Sequence, residues 1–284
     1  MSNLRISYDR LRSMSRTEEN PIVQAMQIAL HIPKNDPPAR SEILQAAAQA
    51  VVACCLSEES VTDEWYGNRL QQWYDHRIRK VARRGRNAAW ERVTTLPGVS
   101  SVSGSAEARA FVPGPVDSVD PLLKKLQISH TDVPFDSPAD PTEGPVLYVD
   151  HGLGMSVGKT AAQVGHGSML LAAAQPFEWV ERWADQGYRL SVREVDSEVF
   201  RKAAEQPGAV HVIDAGFTEV APSSLTVVAL PMPLFLIFFS LRCLNVCPAS
   251  TPSGVVTTLR SPICHVTTPP APISQSTRRD VFTL

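Results

Sequence analysis

The 284-residue chain has no excess charge of either sign. Its 27 basic and 29 acidic side chains leave a formal net charge of −2. That balance alone points to no polyanionic partner. Cysteine is scarce: the five present show no paired spacing. An odd count without a framework argues against a disulfide scaffold, and Cys54 and Cys55, set in an apolar run, read as small core residues. The simplest setting is reducing and cytoplasmic. A long hydrophobic run is also missing. The longest, PLFLIFFSL at 233–241, is too short to span a bilayer as a helix. The N-terminal MSNLRISYDRLRSMSR lacks the apolar centre of a signal peptide. No membrane partner is expected. What is present, 43% hydrophobic residues, is enough for a core, and the length allows two modest domains or one with long extensions.

Residues 1–20 are polar and read as disordered. Residues 21–111 read as a helical N-terminal region. Ser41-Glu42 opens an alanine-rich helix to Leu56, and a second helix spans Asp63 to Val93, with Leu70, Tyr74, Ile78, Val81 and Ala88 at helical spacing. Its other face is basic. Arg69, Arg77, Arg79, Lys80, Arg83, Arg84, Arg86 and Arg92 stand against Asp75 and Glu91, a local charge of +6. Residues 112–145 hold seven prolines and read as a linker or wrapping segment.

From 146 to 231 the pattern turns α/β: strand 146–150, helices 156–174 and 177–186, strand 189–195, helix 197–206, and strands 209–213 and 225–230. Asp196 and Ser197 cap the third helix, and Pro207-Gly208 stops it. The expected fold class is α/β, a small mixed four-stranded sheet flanked by helices. This block carries six basic and ten acidic residues. Residues 232–284 hold one acidic residue, Asp280, and three of the five cysteines, and show no sustained periodicity. They read as an irregular or non-native tail.

The run Gly154 to His166 concentrates the chemistry. Lys159, Gln163 and His166 lie at i, i+4 and i+7, on one helix face directly after an apolar strand. A helix N-terminus attracts anions and a lysine there adds a full charge; the small neighbours Gly158, Ala161 and Ala162 allow close approach. His166 can act as a base near neutral pH. Asp214 ends the strand Val210–Ile213, where polar residues commonly line sites. Thr218 and Ser224 flank the loop that follows. Gly158-Lys159-Thr160 mimics the end of a phosphate-binding loop. The required glycine five positions earlier is Leu153, however, and Gly152 and Gly154 miss the register, so a nucleotide hydrolase is not expected.

The two segments GMSVGKTAAQVGH and VIDAGFTEVAPSSLTVVAL resemble the type II peptidyl-tRNA hydrolases of archaea and eukaryotes. The resemblance covers about residues 146–231. It implies a mixed four-stranded sheet with flanking helices. It also implies hydrolysis of the ester joining a peptidyl group to the terminal ribose of tRNA, commonly as a homodimer, with no metal or other cofactor. Lys159, Gln163, His166, Asp214 and Thr218 fall on the family's site. Three places depart from its pattern: Asp150-His151-Gly152-Leu153 replaces Arg-x-Asp-Leu, Phe217 stands where a basic residue is common, and Ser223 replaces a glycine.

Ester hydrolysis needs an activated water, a stabiliser of the developing oxyanion and a hold on the leaving group. The expected roles are His166 or Asp214 for the water, Lys159 for negative charge, and Thr218 for the water or ribose. Ser156, Gln163 and Ser224 would bind substrate. Arg79, Lys80, Arg83 and Arg84 on the basic helix would hold the tRNA body that the acidic block cannot attract. The alternative is an RNA-binding protein of the same fold with a degraded site.

Overall fold

The computed structural model describes residues 1–15, 22–128, 133–141, 143–216, 218–234 and 281–283. Its first half contains α1 (Asn3–Arg12), β1 (Gln24–His31), α2 (Arg40–Leu56), α3 (Glu59–Thr62), α4 (Glu64–Tyr74), β2 (Arg79–Gly85), α5 (Asn87–Val93), β3 (Gly98–Ser103), β4 (Ala106–Phe111), β5 (Gly114–Pro115) and α6 (Pro121–Lys124). The second contains β6 (Val146–Asp150), a 3-10 turn (His151–Leu153), α7 (Val157–Ala174), α8 (Phe177–Asp185), β7 (Ser191–Val195), α9 (Ser197–Ala204), β8 (Val210–Asp214), β9 (Ser224–Leu230) and β10 (Val281–Thr283).

The α/β class stands, but there are two sheets rather than one. One runs β2-β1-β4-β3, with β5 also on β1; the other runs β10-β8-β9-β6-β7. The expected four-stranded sheet is the second, extended by β10, which pairs parallel with β8. The first sheet adds strands to a mainly helical region and corrects the reading of Asp63–Val93 as one helix. The helix expected over Asp63–Val93 ends at Tyr74, capped by Asp75, and the chain then pairs Arg79–Gly85 in parallel with Ala25–His31. Helical spacing over 78–88 therefore loses to the open edge of β1, because strand pairing is decided by tertiary context more than by local propensity. Nor are residues 1–15 without structure, while residues 16–20 lie outside the described residues. Ser2 caps α1 by accepting from the Arg5 N–H, and Ser7, Tyr8 and Leu11 are buried, with Tyr8 Oη donating to the Gln175 carbonyl at 2.7 Å. Within 112–145, α6 is capped by Asp120 and buries Leu123. Of the expected irregular tail, residues 235–280 lie outside the described residues.

One apolar core joins both halves, and α2 crosses α7 at its centre. Nearly every side chain of α2 is buried, as suits a helix apolar all round. The crossing is close. A Cβ on Gly165 would lie 2.8 Å from Val51 Cγ2, and Ser168 Oγ donates to the Ala48 carbonyl at 2.7 Å. Arg40, at the start of α2, reaches the other half too. It pairs with Glu194 on β7 at 2.6 Å and donates to the Met155 carbonyl, just ahead of α7. No helix among the described residues is long and apolar enough to cross a membrane.

Candidate active site

The strand β6 delivers the chain to the head of α7. Ser156 is the N-cap: its Oγ accepts from the Lys159 N–H at 3.2 Å, satisfying one of the helix's unpaired donors. Glu219 holds the cap from the far side, its carboxylate accepting from Ser156 N–H and Oγ–H at 2.8 Å each. This fixes the first turn against the loop after β8 and orients the lysine.

Lys159 Nζ donates to Asp214 Oδ2 and, at 3.1 Å, to Thr218 Oγ1. Gln163, one turn on, donates to the same Asp214 oxygen at 2.5 Å, and the Gly216 N–H donates to Oδ1 at 2.7 Å. Gln163 is itself fixed, because Thr226 Oγ1 on β9 donates to its Oε1 at 2.9 Å. A further turn on, His166 is buried, its Nδ1 2.9 Å from Lys80 Nζ on β2. Lysine has donors only, so Nδ1 accepts and the ring proton sits on Nε2. Asp214, Gln163 and His166 thus line a groove with a lysine at either end.

Ser156, Lys159, Gln163, His166, Asp214, Thr218, Arg79 and Lys80 all line one cavity of about 490 Å³, together with the apolar Ile78, Ala82, Val116 and Ile128. Three of the expected binding residues lie elsewhere. Arg83 is buried and donates to Gln27 Oε1; Arg84 donates to the carbonyls of Ile32 and Pro33. Further along β2 the basic side chains turn to Gln27 and to the carbonyls of Ile32 and Pro33, so the run does not form one basic face. Ser224 Oγ donates to the Ala221 carbonyl within its own turn. The loop geometry also accounts for a departure: Ser223 holds φ at +63°, in the left-handed region that glycine adopts freely. Asp150 is turned into a local cap, accepting from Gly152 N–H and Ser197 Oγ. Phe217 lies outside the described residues.

Sequence reasoning missed Glu219 and Thr226. A threonine buried in the apolar strand Ser224–Leu230 was the available signal. Among the described residues no cluster of three or more His, Cys, Asp or Glu is placed to hold a metal ion. The arrangement offers a fixed ammonium, a carboxylate with three donors on it, a hydroxyl and an imidazole around a mostly apolar cleft, groups suited to polarising and hydrolysing an ester.

Residues 145–237 match the family described as Peptidyl-tRNA hydrolase PTH2. A protein of Thermococcus sibiricus named peptidyl-tRNA hydrolase is 32% identical over 94 residues, covering 30% of this chain and 80% of the relative. No solved structure matches the chain.

Proposed function

The chain belongs to the peptidyl-tRNA hydrolase PTH2 family, and on that premise we propose that it hydrolyses the ester of peptidyl-tRNA, releasing free peptide and reusable tRNA in the cytoplasm. The observation that carries this reading is the convergence of Lys159, Gln163 and Thr218 around Asp214 in a cleft at the head of α7.

Water is held by the acceptor capacity left on Asp214, whose carboxylate has about four lone-pair sites and three donors already on it. The water oxygen bonds to the ester carbonyl carbon. The bond from that carbon to the ribose oxygen breaks, and the proton that the attacking water gives up through Asp214 passes to the departing ribose oxygen, leaving the peptide as its carboxylic acid. Lys159 faces the negative charge that develops on the carbonyl oxygen or the terminal phosphate. Thr218 steadies the water or the ribose hydroxyl, and Ser156, through the cap, sets the lysine. Arg79, on β2, lines the same cleft and supplies phosphate contact that an acidic catalytic block lacks. Release of free peptide from an N-blocked aminoacyl-tRNA by the full chain, lost on Lys159→Ala, tests the reading; equal release by both proteins would overturn it.

A further inference from the structure

The two halves of the chain follow the same route. In the first, β1 leads through α2 and α4 to β2, then through α5 to the hairpin β3-β4. In the second, β6 leads through α7 and α8 to β7, then through α9 to the hairpin β8-β9. The pairings match as well. The first and second strands are parallel, the first and fourth antiparallel, the third and fourth antiparallel, giving orders β2-β1-β4-β3 and β7-β6-β9-β8.

Side chains repeat the correspondence. Trp73 on α4 is buried, and its indole N–H donates to the Arg79 carbonyl, six residues on, at 3.1 Å. Trp183 on α8 is buried, and its indole N–H donates to the Arg189 carbonyl, also six residues on, at 2.7 Å. The shift along the chain that carries Trp73 onto Trp183 also carries Pro97-Gly98, ahead of β3, onto Pro207-Gly208, ahead of β8.

Where the halves meet, the contacts are reciprocal. A second constant shift carries the cap Ala39 of α2 onto the cap Ser156 of α7, Ala48 onto Gly165 and Val51 onto Ser168. Ser168 bonds to Ala48, and Gly165 packs on Val51, so each contact is the mate of the other. Likewise α2 reaches β7 through Arg40 and Glu194, while β2 reaches α7 through Lys80 and His166. Such mutual contacts define an interface around a two-fold axis. The first half is chemically empty: the positions of Lys159, Gln163 and His166 are Glu42, Ala46 and Gln49, and Ser103-Gly104 at the end of β3 offers no carboxylate.

We propose that residues 24–111 are a second, catalytically empty copy of the hydrolase fold standing where a partner subunit would stand, and that its strand β2 completes the working cleft through Lys80, a positioning residue for His166. That His166, which lines the cleft, takes part in the chemistry rests on the hydrolase reading above. Lys80 is held in place independently of substrate: its ammonium lies 4.9 Å from the centre of the Trp73 ring and 3.2 Å from Met169 Sδ. Its donation to Nδ1 fixes the imidazole plane and leaves the proton on Nε2, so the ring enters the chemistry as a donor rather than as a base.

The test uses the full chain with Lys80→Met and Lys80→Arg, steady-state kinetics, nitrogen-15 NMR of His166 and sedimentation equilibrium. Acid–base groups of this kind contribute roughly 10²–10⁴-fold, so losing the fixed tautomer in Lys80→Met should lower kcat about tenfold or more, with KM within about twofold. Lys80→Arg should recover most of kcat. The spectrum should show Nδ1 unprotonated in the parent and mixed tautomers in Lys80→Met. The parent should sediment as a monomer. A raised KM with parental kcat would make Lys80 a phosphate contact and overturn its positioning role. An unchanged tautomer in Lys80→Met would do the same. An obligate dimer would overturn the substitution of a subunit by the first half. The tautomer and the sedimentation result hold even if the parent releases no peptide, which would instead defeat the hydrolase reading.

Discussion

Lys159 and Asp214 join the first turn of α7 to the end of β8, the lysine Nζ donating to the carboxylate Oδ2 with 11% and 6% of the two side chains exposed. Removing either takes away the other's ion-pair partner. Lys159→Ala and Asp214→Ala should each slow peptide release roughly 100-fold or more, the usual scale for losing an electrostatic or acid–base group. Asp214→Ala should also lower stability, because it leaves the partly buried Lys159 ammonium without its carboxylate. Single-turnover kinetics and denaturant unfolding read the two effects separately. Near-parental turnover in either variant removes that residue from the mechanism.

Arg79 lines the cleft while Arg83 and Arg84 are engaged elsewhere. Arg79→Ala should therefore raise KM several-fold and reduce the slope of log kcat/KM against log salt by about 0.7–0.9, the value for one lost phosphate contact. Arg84→Ala should leave that slope unchanged. Salt titrations of both variants distinguish a cleft contact from a diffuse basic surface.

If the basic N-terminal region only held the tRNA body, removing residues 1–110 should raise KM and flatten the salt response. The shared core changes that expectation. Without α2, the face of α7 bearing Val164, Gly165 and Ser168 is bare. The truncated protein should aggregate or self-associate rather than persist as an active monomer. Size-exclusion chromatography with circular dichroism checks this; a folded, active monomer would show that the halves are independent.

The helix crossing has its own test. An added Cβ at Gly165 meets Val51 Cγ2 at 2.8 Å, and a β-branched side chain has little room to turn away. Gly165→Ala should cost about 1–3 kcal/mol. Adding Val51→Ala should return part of it, with a coupling of at least about 0.5 kcal/mol in a double-mutant cycle.

Burial pushes the Cys55 thiol up to about 11, and the Cys54 thiol higher still, through burial first and the neighbouring thiol second. Both raised values favour the protonated, folded form. Their contribution is present in full below the unfolded thiol pKa of about 8.5; that of Cys55 is lost as pH rises from there through about 11, and that of Cys54 at higher pH. At pH 8 iodoacetamide should spare both residues in the folded protein and label both after unfolding, as mapped by mass spectrometry.

The second half was legible almost element by element because its strands alternate or end on clear signals. Pro207-Gly208 stops α9, Asp196 caps it, and Asp214 closes an apolar run. The first half was not, for two physical reasons. Strand β1 is buried along nearly its whole length and so shows no alternation. Strand β2 is basic and was indistinguishable from a charged helix face until β1 paired with it. At the site, Lys159, Gln163, His166, Asp214 and Thr218 shared a recognisable spacing. Lys80 did not, since only the folded chain brings β2 against α7.

The central claim is tested most directly by the time course of free peptide released from an N-blocked aminoacyl-tRNA by the full chain beside its Lys159→Ala variant. The account predicts release by the parent, slowed roughly 100-fold or more by the substitution. Absence of release by the parent, or equal rates for the two, would contradict it.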